Sequence, residues 1–175
     1  IKVHHINGFK RPEDMAIVNG AQIGWGKYYS GGGMEKLYDI FSFSSDYSLH
    51  RDNALIFISF SRKYWFKSDI DYRTKSDFSI KQYYKTSPRL TTVIYSYYGA
   101  DYRTGVETFM YLDENNGVRG YPRYYDNGER LFRINLENRF FSGISIMSAD
   151  LGAVQFFDIG RVWEKGEATK MDNLL

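Results

Sequence analysis

The sequence has no cysteine. That excludes disulfides, thiol nucleophiles and cysteine-rich metal sites, and it leaves the compartment open. Histidine is scarce too. His4 and His5 are adjacent and would point to opposite faces of a strand, which is poor geometry for one metal. His50 stands beside a turn signal and reads as solvated. There is no Gly-x-Ser-x-Gly elbow and no Ser-His-Asp order. Gly31-Gly32-Gly33 is not followed by Gly-Lys-Ser or by a helical pattern, so it reads as a turn rather than a phosphate cradle. Asp113-Glu114 is an acidic pair in a long connection; calcium is one reading and solvated loop acids the plainer one. No metal, no cofactor and no covalent chemistry are therefore expected. The net charge of +2 gives no electrostatic reason to expect nucleic acid.

Long apolar runs are missing as well. The longest clean one is Ala54 to Ile58, far below the ~20 residues of a membrane helix. Spanning helices are excluded by this, but a transmembrane β-barrel is not, because its strands are short and half polar. Ile1 is not preceded by an initiator methionine, and no signal-peptide pattern follows it. A mature product or a fragment is the expectation.

What is abundant is aromatic: 16 Tyr and 13 Phe in 175 residues. Tyrosine suits a boundary, with one apolar and one wet end. Helical periodicity is nearly absent, and strand signals recur between turn residues. The pattern predicts strands over Ala16 to Tyr29, Leu37 to Leu49, Ala54 to Trp65, Asp77 to Lys85, Leu90 to Ala100, Glu129 to Phe141 and Ser145 to Ile159. A polar loop of about ten residues is expected after the third, a long connection over Asp101 to Gly128, and a polar, loop-like end from Gly160. The connections alternate in part, with short turns after the second, fourth and sixth strands and longer polar ones after the third, fifth and seventh; the one after the first is a short glycine run. Such strands are longer than the usual five or six residues and match the roughly 9–11 of membrane strands.

Alternation separates two faces. Phe41, Phe43, Tyr47 and Leu49 oppose Ser42, Ser44, Asp46 and Ser48. Phe132, Ile134, Leu136 and Phe140 oppose Arg133, Asn135, Glu137 and Arg139. This fits lipid outside and a polar lumen inside, and equally a soluble antiparallel sheet with one wet face. The fifth and seventh strands are apolar on both faces and decide nothing. Trp25, Trp65 and Trp163 fall near strand ends on one side, as an interfacial belt would. Tyr95 to Tyr102, "YSYYGADY", reads as an aromatic girdle, with a glycan platform as the rival.

Val118-Arg119-Gly120-Tyr121 resembles the sixth-loop signature of the BamA-type outer-membrane barrel superfamily, the bacterial surface antigen family. Arg133 to Phe141, "RINLENRFF", resembles that family's next strand, with its lumen-facing glutamate. Gly152 to Trp163, "GAVQFFDIGRVW", resembles the strand after it, whose Phe-x-Asp-x-Gly element is here Phe156, Asp158 and Gly160. The match covers about Asn116 to Trp163; upstream only the strand rhythm agrees. The resemblance implies an all-β antiparallel transmembrane barrel of roughly sixteen strands, of which this chain carries about seven as a single partial domain. It implies a loop, about 101–128, folded into the lumen with Arg119 against Glu137 and Asp158. Gly120 would turn the backbone there, Tyr121 would pack on the wall, and Arg133 and Arg139 would support Glu137. Period two alone puts Glu137 with Arg133 and Arg139; for Asp158 the assignment rests on the resemblance.

The implied work is insertion of outer-membrane proteins, or polypeptide translocation, in the bacterial outer membrane. Outer-membrane lipids, nascent outer-membrane or secreted chains, and accessory assembly subunits would be its partners. Two other readings stay open. One is the same barrel as anchor of a patatin-like phospholipase, which a Gly-x-Ser-x-Gly element upstream of Ile1 would favour. The other is a tyrosine-rich ligand-binding β-protein.

Overall fold

The computed structural model describes residues 2–3, 13–14, 17–29, 36–67, 70–105, 109–113, 117–124, 126–147 and 149–164. His4, His5, the Gly31-Gly32-Gly33 turn and Glu114 lie outside them. Two short pieces, β1 (Lys2–Val3) and β2 (Glu13–Asp14), pair with each other. Seven long strands follow: β3 (Gly20–Tyr29), β4 (Lys36–Arg51), β5 (Ala54–Lys67), β6 (Ile70–Ser87), β7 (Leu90–Arg103), β10 (Arg130–Ile146) and β11 (Ala149–Trp163). Between β7 and β10 the chain forms a small hairpin, β8 (Met110–Leu112) with β9 (Asp126–Gly128). No helix among the described residues is long and apolar enough to cross a membrane, which says nothing about crossing by strands.

The long strands make one antiparallel sheet in the order β11-β10-β7-β6-β5-β4-β3, so each pairs with its sequence neighbour once the hairpin is set aside. The sheet is open. β3 and β11 are its two edges and do not meet. Barrel closure is thus not formed by this chain, although the antiparallel meander is.

Several strands outrun their sequence-based bounds. The ten-residue polar loop expected after β5 is the first half of β6, which starts at Ile70. Thr74 and Ser76 there occupy the face that is apolar elsewhere, so composition hid the strand while the ladder with β5 holds it. Likewise Gly160 to Trp163 continue β11, paired with Arg133 to Arg130. The connections therefore alternate less than the sequence suggested. The turns at Asp52-Asn53 and Ser87-Pro88-Arg89 are tight, and of the rest only the β7–β10 link is long. Asp52 takes a left-handed φ of 44°, as two-residue hairpin turns require. Strands of about fifteen residues reach about 50 Å at ~3.3 Å per residue.

Register sorts the side chains into two unbroken faces. One carries the rows Tyr47-Ile58-Ile80-Ser96-Ile134-Ile159 and Leu49-Ile56-Gln82-Ile94-Leu136-Phe157. The other carries Gln22-Ser44-Ser61-Asp77 and Lys81-Tyr95-Asn135-Asp158. Burial is inverted relative to a water-soluble sheet: the apolar face is the open one. Ile23 is 74 % exposed, Trp25 64 % and Phe157 61 %. Most covered side chains are on the polar face, in two clusters, while Thr74, Ala100, Arg161 and Trp163 are covered on the other. Leu55, Tyr83 and Val93, with Phe57, sit near the tight turns. Leu112, Val118, Leu131 and Val162, with Tyr97, Met110 and Tyr121, lie at the other end.

The tryptophans do not form one belt. Trp25 and Trp163 lie on the apolar face, but Trp65 has the parity of Ser59 and Ser61 and sits beneath the Arg73 guanidinium, 5.1 Å away. The Tyr95 to Tyr102 run divides in the same way, because successive strand residues alternate sides. Tyr98 and Tyr102 face the apolar side, Tyr95 and Tyr97 the polar side.

Candidate functional site

Strands β10 and β11 carry two acids onto one spot of the polar face. Asn135 is the register partner of Asp158, and Glu137 that of Phe156. Glu137 and Asp158 are thus diagonal neighbours on adjacent strands. Two carboxylates this close repel unless a cation lies between them. The loop supplies it.

The Arg119 guanidinium uses one edge for each acid. Its Nε donates to Asp158 Oδ2 and its second terminal nitrogen to Asp158 Oδ1, both at 2.7 Å. This is the two-pronged match of guanidinium to carboxylate. The remaining nitrogen donates to Glu137 Oε1 at 2.7 Å. The Arg119 backbone N–H adds a fourth bond, to Asp158 Oδ2 at 3.0 Å. The cation also lies 4.0 Å from the centre of the Phe156 ring. Hydrogen bonds to Asp158, then to Glu137, raise the affinity of Arg119 for its proton above an already high value, against the opposing effect of burial. It is a cation at every working pH.

The rest of the network balances the charge. Arg139 Nε donates to Glu137 Oε2 at 2.8 Å, so two arginines face two acids. Asn135 Nδ2 donates to Asp158 Oδ1 at 2.8 Å and also to the Gly117 carbonyl. Asp158 keeps only 4 % of its side chain exposed, Glu137 20 % and Arg119 34 %. Screening by water is weakest at Asp158.

Two glycines explain how the loop fits. Gly120 has a φ of +86°, a left-handed conformation that turns the chain directly after Arg119. Gly160 marks a close approach: a Cβ there would lie 2.6 Å from Leu112 Cδ1 and 3.3 Å from Val118 Cγ2. Val118 is 1 % exposed, and Tyr121 packs against the cluster it forms with Leu112, Leu131 and Val162. Within the loop, Asp113 accepts from the Tyr124 backbone N–H at 3.2 Å, and its carbonyl accepts from Val118 N–H at 3.1 Å. That carboxylate braces the loop.

All ten sequence-derived residues fall in this region, but not in one role. Val118, Arg119, Gly120, Tyr121, Glu137, Asp158, Phe156, Gly160 and Arg139 touch the loop or the clamp. Arg133 shares their face yet meets no acid. Its guanidinium lies 5.3 Å from the Tyr95 ring centre and 5.0 Å from that of Tyr97, and its Nε is buried without a hydrogen-bond partner. The sequence placed Asn135 on the face of Glu137 and read Asp113 as a loop acid, but assigned neither to the clamp. The signal for Asn135 was available in its parity with Glu137; for Asp113 there was none, since its partners are backbone atoms.

The residues above define an all-β protein whose long connection is clamped by an arginine onto the polar face of its sheet. Comparison with family models, curated proteins and solved structures gives no match for this chain.

Proposed function

We propose that this chain forms part of the wall of a BamA-type outer-membrane β-barrel that inserts outer-membrane proteins or moves polypeptides across the outer membrane. The observation that carries the reading is the Arg119 clamp: a loop arginine held by Glu137 and Asp158 from two adjacent strands. Its role is to lock the loop into the lumen, so that the wall keeps the shape in which client strands are received. The inverted burial of the sheet supports a lipid-facing exterior, because an apolar face of this extent has no stable contact with water. Strands β3 and β11, open at the sheet edges, need further strands to satisfy their backbone groups in lipid. A barrel of roughly sixteen strands provides them. Its partners are then outer-membrane lipids, nascent chains and accessory assembly subunits.

A charge-swap cycle tests the role of the clamp. Arg119→Glu should lower the yield of assembled client barrels in the outer membrane, read as heat-modifiable protein on gels. Adding Glu137→Arg should restore part of it. A full client yield in Arg119→Glu would refute the lock.

A further inference from the structure

A cavity on the polar face carries charge that the clamp does not balance. Its volume is ≈ 290 Å³. Strand β7 contributes Val93 and Tyr95 to its lining. Lys81 of β6 stands on one side of them, Arg133, Glu137 and Arg139 of β10 on the other, and the loop borders it at Arg119. By register all of these strand residues share one face. The clamp accounts for two of the four cations, since Arg119 and Arg139 meet Glu137 and Asp158. Lys81 and Arg133 are left over. Neither meets an acid among the described residues. The Lys81 ammonium lies 5.3 Å from the Tyr83 ring centre, and Arg133 rests on the Tyr95 and Tyr97 rings. Gly117 of the loop makes room for Arg133: a Cβ there would lie 2.7 Å from its Nη1. The Tyr95 hydroxyl, on the strand between the two cations, also has no hydrogen-bond partner among the described residues.

An ammonium, a guanidinium and a phenol offer hydrogens, and the first two accept none. Beside the buried Val93 their fields are weakly screened. The group that completes such a site is an acceptor with negative charge. Strands β6 and β10 lie two ladder spacings, roughly 10 Å, apart, which leaves room for one small group between two long side chains. We propose that this cavity binds a small oxyanion, best matched by a carboxylate, between Lys81 and Arg133, with the Tyr95 hydroxyl as third donor. Two sources offer that group: a free low-molecular-weight acid, or an acidic side chain of a polypeptide in the lumen. The second source rests on the polypeptide-handling reading above; the site itself does not.

Lys81 serves as its own reporter. The full protein in neutral detergent is treated with acetic anhydride, and the rate of acetylation at each lysine is read by mass spectrometry. The probes are succinate, acetyl-Gly-Asp-Gly-amide and acetyl-Gly-Asn-Gly-amide, with sodium chloride at matched ionic strength as reference. Succinate at ten times its half-protecting concentration should slow Lys81 about tenfold and leave Lys27, Lys63 and Lys85 unchanged. Arg133→Gln should raise the half-protecting concentration about tenfold or more, the loss of one charge-assisted hydrogen bond. Tyr95→Phe keeps the ring under Arg133 and should raise it about threefold. Protection by succinate alone assigns the site to a free acid; protection by the aspartyl peptide and not by the asparaginyl one assigns it to a side chain. Equal protection by both peptides, protection matched by chloride, protection that both variants leave unchanged, or no protection at all would overturn the proposal. None of these results touches the proposed function, because no client enters the measurement; the client-yield assay decides that reading without reference to Lys81.

Discussion

The two halves of the polar face are built differently. On β7, β10 and β11 it carries Tyr95, Tyr97, Arg133, Asn135, Glu137, Arg139 and Asp158, and the loop packs on it. On β3 and β4 it carries Gly24, Gly26, Ser42, Ser44, Asp46 and Ser48, mostly short side chains with one acid among them. There the contacts are local, such as Ser48 Oγ to the Val18 carbonyl at 3.1 Å. The charges of β10 and β11 at Glu137 and Asp158 are answered by Arg119 of the loop. The β3–β4 half has short side chains at its centre and the stacked Tyr28 and Tyr38 rings toward one end. The same contrast explains the strands that read as apolar on both faces. Two of the inward apolar residues of these strands, Tyr97 and Val162, lie beneath the loop.

The sharpest way to break the comparison is to invert the clamp. Arg119→Glu places a third acid between Glu137 and Asp158. It should destabilise the loop-covered half by about 3 kcal/mol, near the lower range for breaking a buried pair because Arg119 keeps 34 % of its side chain exposed. Limited proteolysis between residues 104 and 129 should then be much faster, while the rest of the sheet stays protected. Next in size is Gly160→Val. Its side chain would drive into Leu112 and Val118 and should cost about 1–3 kcal/mol, seen as a lower thermal midpoint and as exposure of the loop. A normal midpoint would mean that the loop does not press on β11 as described.

The double change Arg119→Glu with Glu137→Arg should recover roughly 1–2 kcal/mol of the loss in a thermodynamic cycle. Complete recovery is not expected, since Asp158 would still face a glutamate. Smallest of all should be Ser44→Ala in the β3–β4 half, within about 0.5 kcal/mol by chemical denaturation. A loss there comparable to that of Arg119→Glu would erase the distinction between the halves.

Much of the sheet was legible in the sequence. Period two separated Glu137 from Leu136 and Ser44 from Phe43, and the turn residues Asp52-Asn53 and Pro88-Arg89 fixed where strands reverse. The failures have physical causes. Thr74 and Ser76 gave β6 no apolar alternation, so the strand shows only in its pairing with β5. Trp65 was assigned by distance from a strand end when its parity placed it with Ser61. The expected contact of Arg119 with Glu137 and Asp158 came from motif resemblance, and the structure has both contacts. Arg133 was grouped with the acids by parity, but parity specifies a face and not a partner, and the Tyr95 and Tyr97 rings claim it.

By itself the sequence determined what is periodic: all-β structure and the division into two faces. These depend on near neighbours in the chain, and a side-chain period of two records them directly. Tertiary structure alone decided which face is covered, which acids share an arginine, and that Gly160 must be small. Each of these joins residues far apart in the chain, 39 positions in the case of Arg119 and Asp158. Such contacts depend on strand register and on the path of the loop, and no local pattern encodes either.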